Sequence, residues 1–167
     1  PQVIRDAFGA AESTATLAAH NAALAALALP GYGAAAVLMG RVGPRRLQIW
    51  GFAAMALLYV GTGAGHGALE GHGHAALTLF GLTFFVANVG PNSTTFAMPS
   101  LVFPAAVRGS MNGVSAACGK LGALLGAAAF APLADAWGIG PVLVLCGIIS
   151  AGGGLLTLAL VPTTAGR

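Results

Sequence analysis

Charge is what this sequence has least of. Seven basic and four acidic residues over 167 positions make only 7% of the chain, where a soluble domain carries about a quarter. So little charge excludes a soluble globular surface. With 57% hydrophobic residues and a mean hydropathy of +0.85, the composition is that of an integral membrane protein. Acids are also too few and too scattered for hydrolytic work, and no Ser/His/Asp set or carboxylate pair is visible, which weighs against an enzyme. Cysteine is nearly missing as well. Cys118 and Cys146 fall in different apolar stretches and read as small packing residues rather than a disulfide. The opening Pro1-Gln2-Val3-Ile4-Arg5-Asp6 lacks an initiating methionine, a basic start and a cleavage site, so no signal peptide is expected. The chain is read as a fragment.

What is abundant is glycine, 26 residues. Lipid offers no hydrophobic drive between helices, so small residues that let backbones approach supply much of the packing. Gly113, Gly119, Gly122 and Gly126 are expected to serve this purpose. Five stretches, at residues 13–39, 47–65, 75–98, 109–134 and 142–161, are each about long enough for a hydrocarbon core that takes roughly 20 apolar residues to cross. All are expected to be helices, because an open sheet cannot satisfy its backbone in lipid. Gly43-Pro44, the glycine-rich residues 65–73, and segments 99–104 and 138–141 punctuate them as short connectors. This predicts an all-α membrane protein of five transmembrane helices, with no soluble domain.

The few charges sort by side. Successive connectors must alternate faces if every helix spans. Arg41, Arg45 and Arg46 then share a face with Arg108 and Arg167, while Asp6, Glu12, Glu70 and Asp135 lie opposite with Arg5. The basic face is cytoplasmic by the positive-inside rule, which puts the N-terminal end outside and the C-terminal end inside. The net charge of +3 is thereby read as an orientation signal, and no nucleic-acid partner is expected.

One charge escapes this sorting. Lys120 is the only formally charged residue within residues 110–132, about half-way along its stretch. An ionisable group at that depth is costly and usually faces a bundle interior or an aqueous cavity. A second polar group stands in Asn88-Val89-Gly90-Pro91-Asn92-Ser93-Thr94-Thr95. Asn88 and Asn92 are four apart and share a helix face, with hydroxyls around a proline that should kink the helix, as interrupted helices at transport sites do. Polar side chains also hydrogen-bond helix to helix in membranes, and that use stays open for either asparagine. His66, His72 and His74, with Glu70 between them, could ligate a transition metal, but the surrounding glycines favour a mobile loop and no metal is expected.

These segments resemble the late helices of the proton-coupled inorganic phosphate symporters of the plant and fungal type, within the major facilitator superfamily. Leu29-Pro30-Gly31-Tyr32 is similar to the Pro-Gly-Tyr motif of the family's eighth helix, and Gln48 with Gly51-Phe52 to the start of the ninth. Residues 88–96 resemble the tenth, Gly113 to Gly122 the eleventh, and Leu160-Val161-Pro162 with Gly166-Arg167 the end of the twelfth. The resemblance implies an incomplete C-terminal half of the superfamily fold, working with the missing N-terminal helices of the same chain. It implies phosphate uptake with protons at the plasma membrane by alternating access, with no cofactor. The family's tenth-helix asparagine and eleventh-helix lysine help hold phosphate, and these map onto Asn88 or Asn92 and onto Lys120. Pro91, Ser93, Thr94, Thr95 and Tyr32 would shape the cavity, and Arg45, Arg46 and Arg108 the cytoplasmic gate. The sequence departs from the family at that gate. Gly40 stands where the family has aspartate, Pro44 where it has the first arginine after glycine, and Leu101 where it has glutamate. Loss of an ion pair there should shift the population of inward and outward states. Two further readings stay open: a superfamily carrier for a sugar or organic ion, since fold does not fix substrate, and a truncated membrane module that does not transport.

Overall fold

The computed structural model describes residues 14–69 and 72–162. Arg5, Asp6, Glu12, Glu70, Gly166 and Arg167, to which the sequence assigned roles, lie outside the described residues. No strand occurs among the described residues. The helices are α1 (Thr14–Val42), α2 (Pro44–Ala64), the single turn α3 (His66–Leu69), α4 (Gly73–Val89), α5 (Pro91–Val102), α6 (Arg108–Trp137) and α7 (Ile139–Leu160).

Among the described residues five spans are long and apolar enough to cross a membrane: Ala18–Val42, Pro44–Ala64, His74–Val102, Arg108–Trp137 and Ile139–Leu160. The third is α4 and α5 together. The sequence led to a kinked helix there, and the structure shows an interruption: Gly90, at φ −102° and ψ −107°, leaves the helical region between Val89 and Pro91. Two of the connectors shrink to one residue. Gly43 (φ 81°, ψ 151°) and Gly138 (φ 82°, ψ 165°) adopt a backbone conformation essentially reserved for glycine. Pro44 follows at the first position of α2, where its missing N–H costs nothing.

The packing follows small residues. Leu24, Ala28, Gly31 and Ala35 are buried along one stripe of α1, and α1 runs parallel to α4, with Leu24 and Leu27 at Gly81 and Gly31 at Asn88. On α7 the buried stripe runs Gly140, Leu143, Gly147, Ser150, Gly154, Thr157. It packs antiparallel on α2, Gly63 meeting Gly140 and Val60 meeting Gly147. Where α2 crosses the α4–α5 junction, Gly51 faces Gly90 and Pro91, so α2 sits centrally. Three buried hydroxyls are satisfied within their own helices: Thr83 donates to the Leu79 carbonyl at 3.0 Å, Ser150 to that of Cys146 at 2.8 Å and Thr157 to that of Gly153 at 2.8 Å, the i−4 pattern of Ser and Thr in helices.

Helix α6 differs. None of its residues is buried, and its contacts are chiefly with α5 and α7. The glycines expected to pack there do not: Gly113, Gly119, Gly122 and Gly126 have nothing within 4 Å of where a Cβ would stand. The physical reason is that packing glycines need a facing backbone, and the described helices place theirs at Gly31, Gly51, Gly63, Gly90 and Gly140 instead.

Candidate functional site

The interruption at Gly90 organises the polar residues. Asn88, one residue before the end of α4, is only 5% exposed. Its Nδ2 donates to the carbonyl oxygen of Ala28 on α1 at 3.0 Å, and its Oδ1 accepts from Nδ2 of Asn92 at 2.7 Å. The missing side chain of Gly31 makes this approach possible, since a Cβ there would lie 2.9 Å from Asn88 Cβ and 2.7 Å from the Phe85 carbonyl oxygen. The Pro-Gly-Tyr motif of α1 and the asparagine pair of α4 and α5 are thus two halves of one contact.

A break in a membrane helix frees backbone carbonyls, which need partners in a medium without water. Ser93 Oγ donates to the carbonyl of Asn88, and Thr94 Oγ1 to that of Gly90 at 2.9 Å. Thr94 and Pro91 are buried, whereas Asn92 and Thr95 are exposed. Asn92 therefore keeps one N–H and its Oδ1 uncommitted among the described residues. Tyr32, next to Gly31, is 50% exposed. Between α1 and α4, near the middle of both, lies an apolar groove of about 390 Å³ lined by Leu27, Pro30, Gly81 and Phe85 among others. Its lining carries almost no polar surface, so the hydrogen-bonding end of this region is the asparagine pair.

Lys120 stands apart. It is exposed on α6, with no hydrogen bond or ion pair among the described residues. The structure joins Asn88 to Asn92 and leaves Lys120 on an open helix face.

The three arginines differ in what they hold. Arg45 spans from α2 to the end of α7, its Nε donating to the Val161 carbonyl at 2.7 Å and its Nη2 to Leu158 at 3.0 Å. Beside it Gln48 Nε2 donates to Thr157 Oγ1 at 3.2 Å. A cation on the C-terminal carbonyls of a helix complements its dipole. Arg46 is exposed, and Arg108 donates only locally, to Phe103 at 3.3 Å. No residue pattern announced the Arg45 contact, because its acceptors are backbone atoms more than a hundred residues away. Nor did any signal in the sequence mark the Ala28 carbonyl. Among the described residues no group of three or more metal-binding side chains gathers.

The chain matches the family described as "Sugar (and other) transporter" over residues 2–167. It is 43% identical over 129 residues to a probable inorganic phosphate transporter 1-9 of Oryza sativa subsp. japonica, covering 75% of this chain and 21% of that protein. A probable inorganic phosphate transporter 1-6 of Arabidopsis thaliana is 36% identical over 141 residues, 83% of this chain and 27% of the relative. Inorganic phosphate transporter PT2 of Toxoplasma gondii is 31% identical over 157 residues, 94% and 28%. The chain thus spans between a fifth and three tenths of the length of these curated relatives. No solved structure matches it. With five membrane-length helices and a match across nearly all its residues, the chain belongs to the sugar (and other) transporter family of the major facilitator superfamily.

Proposed function

We propose that the polypeptide carrying this chain takes up inorganic phosphate by alternating access, with protons as the coupling ion, and that Lys120 and Asn92 contact the anion. The observation that carries the reading is the Asn88–Asn92 pair at a broken membrane helix, in a chain whose relatives are named inorganic phosphate transporters. Broken helices place polar groups at membrane depth where a solute can meet them. A carboxamide N–H donates to a phosphate oxygen without needing a counter-ion, and a lysine ammonium supplies three donors and the compensating charge. The open middle of α6, with Lys120 on it, is the face to which the additional helices of the longer relatives would pack, closing the cavity around the anion. Proton coupling rests on the resemblance.

The same reading orients the chain. Arg45 ties the start of α2 to the end of α7, so Arg41, Arg45, Arg46 and the end of α7 share one face, cytoplasmic by the positive-inside rule, with a plasma-membrane setting. The gate on that face is altered: Gly40 has open space where a side chain would stand, Leu101 is 54% exposed, and Arg45 is engaged by backbone instead of an acid.

Uptake of radiolabelled phosphate into proteoliposomes holding the native polypeptide tests this. Lys120→Gln is expected to lower uptake about tenfold or more, a loss of about 1.4 kcal/mol or more. Wild-type uptake by that variant, or a sugar carried in place of phosphate, would remove the assignment.

A further inference from the structure

Which of the two asparagines meets the solute was open in the sequence. The hydrogen bonds separate them and fix something further, the direction in which the second amide is presented. A backbone carbonyl can only accept, so the atom that Asn88 turns towards Ala28 must be its NH2 group, at 3.0 Å. That places Asn88 Oδ1 against Asn92. An amide oxygen also only accepts, so Asn92 must turn its own NH2 to it, at 2.7 Å. Among the described residues Asn92 is left with one N–H and with Oδ1, both uncommitted, on an exposed residue. Asn88 itself, 5% exposed and with its Oδ1 engaged, is pressed against α1 at Gly31 and is in no position to take a solute.

We infer that Asn88 is a positioning residue that orients the Asn92 carboxamide, so that Asn92 offers one donor and one acceptor to a partly protonated oxyanion. This rests on the phosphate reading above. Inorganic phosphate keeps an O–H at neutral pH and can both accept from the N–H and donate to Oδ1. Sulfate has no O–H and would leave Oδ1 facing an oxygen lone pair, an unpaired polar contact that a desolvated site penalises. The relay from the Ala28 carbonyl through Asn88 to Asn92 therefore discriminates between the two oxyanions by fixing an acceptor, a task to which Lys120, a donor only, cannot contribute.

The test is a double-mutant cycle on phosphate uptake by the full polypeptide, with sulfate as competitor. Asn88→Leu is expected to raise KM for phosphate about tenfold with kcat within about twofold, and to let sulfate compete. Because Asn88 acts through Asn92, the double variant Asn88→Leu/Asn92→Ala should lose no more than Asn92→Ala alone. Losses that multiply would overturn the relay. Asn88→Asp provides the conservative rescue: at this depth the carboxyl holds its proton, keeping a donor for Ala28 and an acceptor for Asn92. It should restore wild-type KM at acid pH and lose it as pH rises, and a flat pH profile would count against the inference. The side-chain amide NMR signal of ¹⁵N-labelled Asn92 needs no phosphate at all. Its two protons should be distinct and slow to exchange in wild type and Asn88→Asp, and fast in Asn88→Leu. An unchanged signal in Asn88→Leu overturns the orienting role. If that signal changes as expected while no variant moves phosphate, the cargo assignment falls and the discrimination between oxyanions falls with it.

Discussion

A methyl group on Gly51 would lie 2.7 Å from Cα of Gly90 and 2.6 Å from Cδ of Pro91, whereas one on Gly113 would meet nothing within 4 Å. The glycine expected from the sequence to pack, Gly113, and the motif glycine Gly51 thus have opposite mutational consequences. Gly51→Val forces α2 away from the α4–α5 junction and is expected to cost about 3 kcal/mol, at the upper end of overpacking in a close-packed region. Gly113→Ala should stabilise the chain by about 0.5–1 kcal/mol, the ordinary gain from removing glycine from a helix. Thermal unfolding of the two purified variants in detergent reads both, as a lowered and a slightly raised Tm. The polar residues divide in the same way. Asn88, Asn92 and Lys120 were all legible as out of place in an apolar chain, because an intramembrane polar group is costly wherever it sits. Which of them is structural was not, since that depends on the Ala28 carbonyl, an atom every residue possesses.

Between elements, the connections are tighter than their composition suggested. Gly43-Pro44 was recognisable as a connector, yet α1 extends to Val42 and α2 begins at Pro44, so Gly43 alone makes the turn. Glycine at φ 81° followed by a proline that starts the next helix needs no longer loop. Gly43→Ala should therefore cost about 1–3 kcal/mol through backbone strain, seen as a lower midpoint in chemical unfolding, while substitution of the neighbouring exposed Gly40 should not. Arg45 links the start of α2 to the end of α7. Arg45→Met removes two charge-assisted bonds on a half-buried site and should cost about 1 kcal/mol, speeding amide hydrogen exchange in the last turn of α7 about fivefold. Exchange unchanged there would mean the contact does not hold the helix end.

On the scale of the whole molecule, the parallel pairing of α1 with α4 and the antiparallel pairing of α2 with α7 agree with helices that alternate across a bilayer. The orientation proposed from the charges is open to direct reading. A cysteine introduced as His72→Cys should react with a membrane-impermeant maleimide from outside intact cells, and one introduced as Arg46→Cys only after permeabilisation. The reverse pattern would invert the topology. On the face proposed as cytoplasmic, Gly40→Asp with Leu101→Glu returns acids to the two positions where the resembled family carries them, and Gly40 has open space for the new side chain. The pair should shift the balance of inward and outward states and change the rate of phosphate uptake, by a factor of about five for each kcal/mol by which it alters that balance. An unaltered rate would mean the gate does not depend on those acids.

The sequence by itself determined the class and the number of spans, because an open chain in lipid satisfies its backbone as helices of a known minimum length and tolerates few charges. It also carried the family, through motifs whose residue types survive outside any structure. Only the tertiary structure decided which glycines pack, where the third span breaks, what Arg45 holds and how the Asn92 amide is turned. Each of those depends on a backbone atom of another helix, and backbone atoms are the same at nearly every position; their location in space, not their identity in the chain, gives them their role.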